Sequence, residues 1–429
     1  MNGNMTGAKA ELLRLVDRDR EEIIAFIREF VRCKSPNPPG NTVEAARHIT
    51  SFLAANKLPY EIVSPHPEMP NIVAITRYGE AGRHLVLNGH IDVFPVESEV
   101  GWTHGSWSGA LVDGKIYGRG VADMKVGTTA SIMTYRYLSQ LGDQLKGKLS
   151  LAAVSDEETF GPWGARYLFE HRHEGVMGDA CLIGEPSSPR TVRYGEKGTL
   201  WMEFTVRTKG AHGAYVHMSD NAILVANEVI NELRKLEEIE AREPDNLTAS
   251  LNAAAGAIDQ AYGRGAFDNL RRITVNIGRM TGGTKVNMVP AECRFQADMR
   301  IPNGLSGATV EDHIARLKSQ FPQLEAERIS YHPPTWSAPD GDLLQYVQAN
   351  ATAICGIEPA PVIALTATDA RLWRAHDIPA YVYGPAPKGM GSVDEQVDVE
   401  EALNVIRCHL LSAWDYLSAK PGPETRARR

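Results

Sequence analysis

Apolar residues near the start of the chain recur at the spacing of one helical face. Leu12, Leu13, Val16, Ile23, Ile24, Ile27 and Val31 predict a helix over about 8–33, stopped by the turn Ser35-Pro36-Asn37-Pro38-Pro39-Gly40. A second amphipathic run covers about 43–58. The pattern then changes to short apolar runs typical of buried strands at 72–75, 84–87, 149–154 and 180–183, with a helical stretch at 125–141. Buried strands alternating with helices predict an α/β sheet covered on both faces.

The middle of the chain has another rhythm. Strands are predicted at 200–206, 273–277 and 294–299, helices at 222–236 and 310–319, and a last strand from 329 up to the Pro333-Pro334 break. This β-α-β-β-α-β order matches a ferredoxin-like unit. Afterwards α/β character resumes, with a helix at 343–354, strands near 362 and at 380–382, and a final helix at 399–417. The expected organisation is a catalytic domain of residues 1–198 and 333–429, its central mixed sheet flanked by helices. An α+β lid of residues 199–332 is inserted into it. The tail AKPGPETRARR reads as disordered, and no internal repeat interrupts the pattern.

Composition narrows the function. The 429 residues suggest two or three domain-sized units, and 43% hydrophobic with 23% charged residues is an ordinary globular balance. A net charge of -8 gives no support to a nucleic-acid surface. No run approaches the ~20 apolar residues that cross a bilayer, and the N-terminus has no basic-then-apolar leader; a cytoplasmic protein is expected. The five cysteines lack CxxC spacing, so free thiols are expected rather than disulfides or a thiolate zinc site.

Candidate chemistry gathers where strands end. In LVLNGHIDVFPV, His90 and Asp92 stand two apart and share a strand face; imidazole is a metal ligand, and a neighbouring carboxylate can hold its other N–H. In YGRGVADMKVG, Asp123 lies between a Gly-rich turn and a helix start, where it reads equally as an N-cap. In LAAVSDEETFG, Asp156, Glu157 and Glu158 crowd one strand end, either as a solvated loop or as carboxylates compensated by a cation. Glu185 follows another strand in ACLIGEPS. All four segments converge on the edge where open α/β sheets place their sites, and one imidazole with several carboxylates suits Zn, Mn or Co.

As an ordered set, GHIDV, GRGVADMKVG, SDEETFG and GEPS resemble the active-site motifs of the two-metal exopeptidase and deacylase family. That family includes carboxypeptidase G, acetylornithine deacetylase, succinyl-diaminopimelate desuccinylase and aminoacylase. The resemblance implies that His90 and Glu185 bind one metal, that Asp123 bridges two, and that Glu158 binds the second. It also implies Glu157 as general base and acid, with Asp92 orienting His90. In the lid, TKGAHGAYVHMSDNAI places His212 at the family's substrate-contacting histidine, which reaches a partner subunit's site as an oxyanion donor; otherwise it is a turn histidine. GGTKVNMVP and ADMRIP make Asn287 and Arg300 candidate substrate contacts. Arg300 suits a carboxylate, or pairs with Asp298. A homodimer or higher oligomer is implied by the resemblance.

The closing segment YVYGPAPKGMGSVDEQVDVEEA departs from the family. Counting back from Asp394-Glu395, the position of the expected metal-binding histidine is Gly391. The expectation is therefore one occupied metal site and a weak second one, with Met390 a poor substitute and His376 a replacement if its loop folds inward. The leading function is metal-dependent hydrolysis of a C–N bond in a small carboxylate-bearing substrate. The resemblance also admits hydrolytic deamination of an activated aromatic amine such as 5-nitroanthranilate, and a non-catalytic small-molecule-binding relative.

Overall fold

Two helices, not one, open the chain. Gly7–Arg18 and Arg20–Arg32 meet at Asp19, whose backbone (φ -94°, ψ 13°) leaves the helical region. Its carboxylate is occupied by the Arg18 guanidinium and the Tyr137 hydroxyl, so the break is fixed from both sides. The computed structural model describes residues 7–79 and 81–420. All but the first two residues of the tail expected to be disordered lie outside that range.

The chain forms two compact units. The first comprises residues up to 194, Ser337–Val362 and residues from 368 on; the second comprises Gly195–Trp336 with Ile363–Ala367. The sequence pattern sets these divisions at 198/199 and 332/333.

In the first unit a mixed sheet runs in the order Glu61–Val63, Asn71–Tyr78, Gly147–Val154, His84–His90, Ala180–Ile183, Ala380–Val382 and Thr191–Glu196. The strands Gly147–Val154, His84–His90, Ala180–Ile183 and Ala380–Val382 are parallel to one another. Val86, Val154, Phe169, Ile183 and Trp373 belong to one core cluster, while Val126–Ser139 and Val399–Ser418 pack together. Wholly buried strands explain why the sequence shows continuous apolar runs rather than alternation.

The second unit is a four-stranded antiparallel sheet in the order Thr274–Gly282, Glu292–Ile301, Gly198–Arg207 and Leu324–His332. Leu200, Met202, Phe204, Phe295 and Met299 join residues of Ala222–Leu233 and Gly307–Gln320 in its core. The last strand starts at Leu324, earlier than expected, because Glu325–Arg328 belong to a largely exposed edge that carries little apolar signal. Helices Asp245–Tyr262 and Ala266–Leu270 interrupt the ferredoxin-like order. Lys197, buried at the head of the first strand, fastens this insertion by donating to the Asn269 and Arg272 carbonyls at 2.6 Å each.

Candidate active site

Three parallel strands finish side by side, and each delivers a polar group just at or past its end. His90 terminates His84–His90, Glu157 and Glu158 follow Gly147–Val154, and Glu185 follows Ala180–Ile183. His90 Nε2 lies 3.2 Å from Asp123 Oδ1 and 3.3 Å from Glu185 Oε1. One ligand atom from each of the three residues lies within 4.8 Å of the others.

Asp123 reaches this place through a kinked turn, Val121–Lys125, entered at Gly120 in the left-handed region (φ 82°). Its own φ/ψ (-118°, 96°) is non-helical, and it does not cap the helix Val126–Ser139; the N-cap alternative is set aside. Close approach of helix and strand is needed here. A Cβ on Gly127 would stand 1.9 Å from the Gly184 carbonyl oxygen, so only glycine lets the helix start against the strand that carries Glu185.

The turn is held by a residue the sequence reading used only as a landmark. Glu395, fully buried, accepts the Ala122 and Asp123 amides at 2.9 and 3.2 Å and pairs with Arg119 Nη1 at 2.6 Å. Asn37 is a second omission: its Nδ2 donates to Asp92 Oδ2 at 2.9 Å and to Asp156 Oδ1 at 3.1 Å. Proline-rich flanks hide such a role in the sequence.

Asp92 differs from expectation. The His90 Nδ1 bond goes to the main-chain carbonyl of Asp92 at 2.8 Å, while the carboxylate stands 3.6 Å away. That carboxylate accepts the Glu157 and Glu158 amides at 3.3 and 3.1 Å, and so shapes the acidic turn. Asp156, at φ 66°, spends its carboxylate on Thr159 and the Trp163 amide. Glu157 and Glu158 are the two acids left over, and Oε1 of each is buried without a hydrogen-bond partner.

This arrangement fits a cation. With Nδ1 donating to a carbonyl, Nε2 presents a lone pair to two carboxylates unless a second proton or a metal ion lies between them. Burial works against a charge on His90, yet Glu185 and Asp123 carry its pKa well above the ordinary imidazole value. Burial, then Asp123, raises Glu185 to about 7, with His90 opposing. Burial likewise pushes Glu157 and Glu158 well up, Asp123 adding to the effect on Glu158. His90, Asp123 and Glu185 could hold a cation, whose positive charge would offset the repulsion that raises these carboxyl groups.

In the second unit His212 and Asn287 come together at one corner. The short strand Ala211–His212 pairs with Met288–Val289, and the Gly213 amide donates to the Asn287 carbonyl at 2.8 Å. Both residues are exposed. Arg300 grips Asp298 through Nε and Nη2 (3.1 and 3.0 Å), and Trp201 Nε1 donates to the same carboxylate at 3.0 Å. The Asp298 pairing is therefore real.

Gly391 lies in an exposed turn at φ 71°, and a Cβ there would meet nothing within 4 Å. His376 is no replacement. It is exposed, bonds to the Leu372 carbonyl, stacks on Phe169 at 4.4 Å, and lines a cavity with His84, Gly147 and Asp179, at the opposite ends of the strands.

Two carboxylates facing one imidazole, with Glu157 and Glu158 at the neighbouring strand end, leave a charge for a cation to balance, and the arrangement is that of a candidate metal centre. Residues 86–414 match the profile of peptidase family M20/M25/M40, and the chain belongs to that family. It is 27% identical over 407 residues to a succinyl-diaminopimelate desuccinylase of Cereibacter sphaeroides, covering 92% of this chain and 99% of the relative. The corresponding enzyme of Rhodospirillum centenum is 25% identical, with 93% and 98% covered. Among solved structures, an M20 metallo-carboxypeptidase of Sulfolobus solfataricus aligns with TM-score 0.79 at 16% identity, covering 92% and 99% of the two chains. A dinuclear metal-binding M20 peptidase of Bacillus subtilis aligns with TM-score 0.63 at 18% identity, covering 94% and 99%.

Proposed function

We propose that the protein hydrolyses an amide-type C–N bond in a small substrate that carries a carboxylate. His90, Asp123 and Glu185 hold a divalent transition ion (Zn, Mn or Co), Glu158 contributes to a weaker second site, and Glu157 is the general base and acid. The observation that carries this reading is the pair of buried Oε1 atoms on Glu157 and Glu158 that accept no hydrogen bond, beside the His90 cluster. A bound divalent ion would lower the pKa of water from ~15.7 toward ~7 and polarise a carbonyl. Glu157 takes the water's proton and returns it to the departing nitrogen. His212 is a donor to substrate held by a partner subunit, Asn287 is a further substrate contact, and Arg300, with Nη1 not engaged by Asp298, can donate from that edge to a substrate carboxylate.

The second unit also supports self-association. Thr274–Gly282 is an edge strand with most of its residues exposed, and Leu224, Met280, Val286 and Met288 are exposed on the same unit. A second copy of the chain is the occupant we assign, as a homodimer or higher assembly.

Gly391 favours a second reading. With no side chain at that turn, a single tightly held ion would suffice best for an electrophile that is already activated, such as the ring carbon bearing the amine of 5-nitroanthranilate. Turnover of N-succinyl and N-acyl amino acids, short peptides and 5-nitroanthranilate, assayed with added Zn, Mn and Co, separates the two readings. Loss of all turnover in Glu157→Gln is expected in either case. A chain that turns over none of these and binds none of the three ions is not an enzyme of this kind.

A further inference from the structure

Arg371 was invisible to the sequence reading, because in TATDARLWR it looks like an ordinary residue of the helix Ala370–Ala375. The fold buries it to 5% exposure. Nη1 donates to the Thr368 carbonyl at 2.6 Å and stands 3.6 Å from Glu157 Oε1 and 3.7 Å from Asp369 Oδ1. The guanidinium carbon lies 4.4 Å from the centre of the Phe160 ring. Phe160 belongs to the same turn as Glu157, and its amide donates to the Glu157 carbonyl at 2.7 Å. One cation therefore holds both the carboxylate and the turn that carries it.

A carboxylate next in sequence to a metal ligand faces a choice. Beside a dication it coordinates, unless another positive group competes for it. A Glu157 drawn onto the ion would be a weaker base, its negative charge shared with the metal and its free oxygen turned away from the bound water. We infer that Arg371 is a positioning residue that keeps the Glu157 carboxylate out of the ion's coordination shell and so preserves it as a base. The inference rests on the metal-site reading above. It also explains why a charged group is buried here: its anchors are the Thr368 carbonyl, two carboxylates and an aromatic face, none of which is solvent.

The test uses the full chain, stripped with chelator and titrated with Co(II), read by visible absorption and by competition with a chelator. Arg371→Met keeps the volume and removes the charge. It should bind Co(II) about tenfold more tightly, with a changed spectrum as Glu157 joins the ion. Arg371→Lys should behave as the wild type. Adding Glu157→Gln to Arg371→Met should abolish the gain, and Glu157→Gln alone should leave the wild-type spectrum unchanged. An Arg371→Met protein with wild-type affinity and spectrum overturns the inference, and so does a gain that survives Glu157→Gln. Should Arg371→Met not fold, a spectrum altered by Glu157→Gln alone overturns it equally. A wild-type chain that binds no Co(II) overturns the metal reading itself, and this inference with it.

Discussion

The Asp92 carboxylate accepts the amide of Glu158 at 3.1 Å, whereas its distance to the His90 ring nitrogen is 3.6 Å. Its main work is to hold the acidic turn. Asp92→Asn leaves the main-chain carbonyl bonded to His90 but turns an NH2 group toward donors from Asn37 or the turn, leaving a buried donor unmatched at a cost of about 1–3 kcal/mol. Turnover should fall roughly 10–100-fold while ion affinity changes little. A large loss of affinity in a metal titration would mean that Asp92 acts through the histidine instead.

Glu395 and Arg119 form a buried pair beneath the turn that carries Asp123. Glu395→Gln leaves Arg119 buried beside Trp102 without its counter-charge, so a loss of about 3–5 kcal/mol is expected in chemical denaturation. The ion content should fall too, because Asp123 loses its seat. Wild-type stability in this variant would show that the pair is dispensable.

Gly391 has empty space around its Cβ position, so Gly391→His should be sterically tolerated, at a cost of order 1 kcal/mol for the left-handed backbone. Elemental analysis should show the stoichiometry rising from about one ion per chain toward two. Two ions in the wild-type protein would remove the basis of this prediction.

The pH dependence has a definite sign. Glu185 rises from 4.5 to about 7 in the folded chain, and Glu157 and Glu158 also rise. The stability that Glu185 contributes is full below about 4.5 and is lost as pH climbs through about 7, and Glu157 and Glu158 act in the same direction. His90, likewise raised, acts in the same direction from its ordinary value upward. An ion replaces these protons, so the stability gap between metal-loaded and chelated protein should widen from about pH 5 to pH 7. His84 and His409, lowered chiefly by burial to about 4, act oppositely but equally in both forms and cancel in the difference. Thermal denaturation of both forms across this range is the check; a gap that narrows would contradict the assignment.

Strand ends were the legible part of this sequence. Mostly apolar runs at 84–87, 149–154 and 180–183 stop shortly before His90, Glu157, Glu158 and Glu185, so periodicity and chemistry pointed to one edge. Groups that act through space on those residues were not legible. Asn37, Arg371 and Glu395 sit in a proline turn, a short helix and a loop, and each approaches the site only through tertiary contact. The insertion Asp245–Tyr262 did carry a signal, Leu247, Leu251, Ala254 and Ile258 at helical spacing. An Ala-rich stretch between ferredoxin-like elements is easily absorbed into a loop. The second unit's polar face was ambiguous for a different reason: Arg300 and Asp298, two apart on a strand, face the same side whether or not a substrate binds.

Asp123 and the residue that accepts its amide are 272 positions apart. A ribosome adding about 5–20 residues per second needs roughly 15–50 s to travel that distance. Within that interval Glu185 is made and then the Gly195–Trp336 unit, while the turn beneath Asp123 has no anchor. The proposed ion site of a newborn chain is thus finished last, and a chain cut short before Glu395 would carry His90, Asp123 and Glu185 with the turn under Asp123 lacking its buried acceptor.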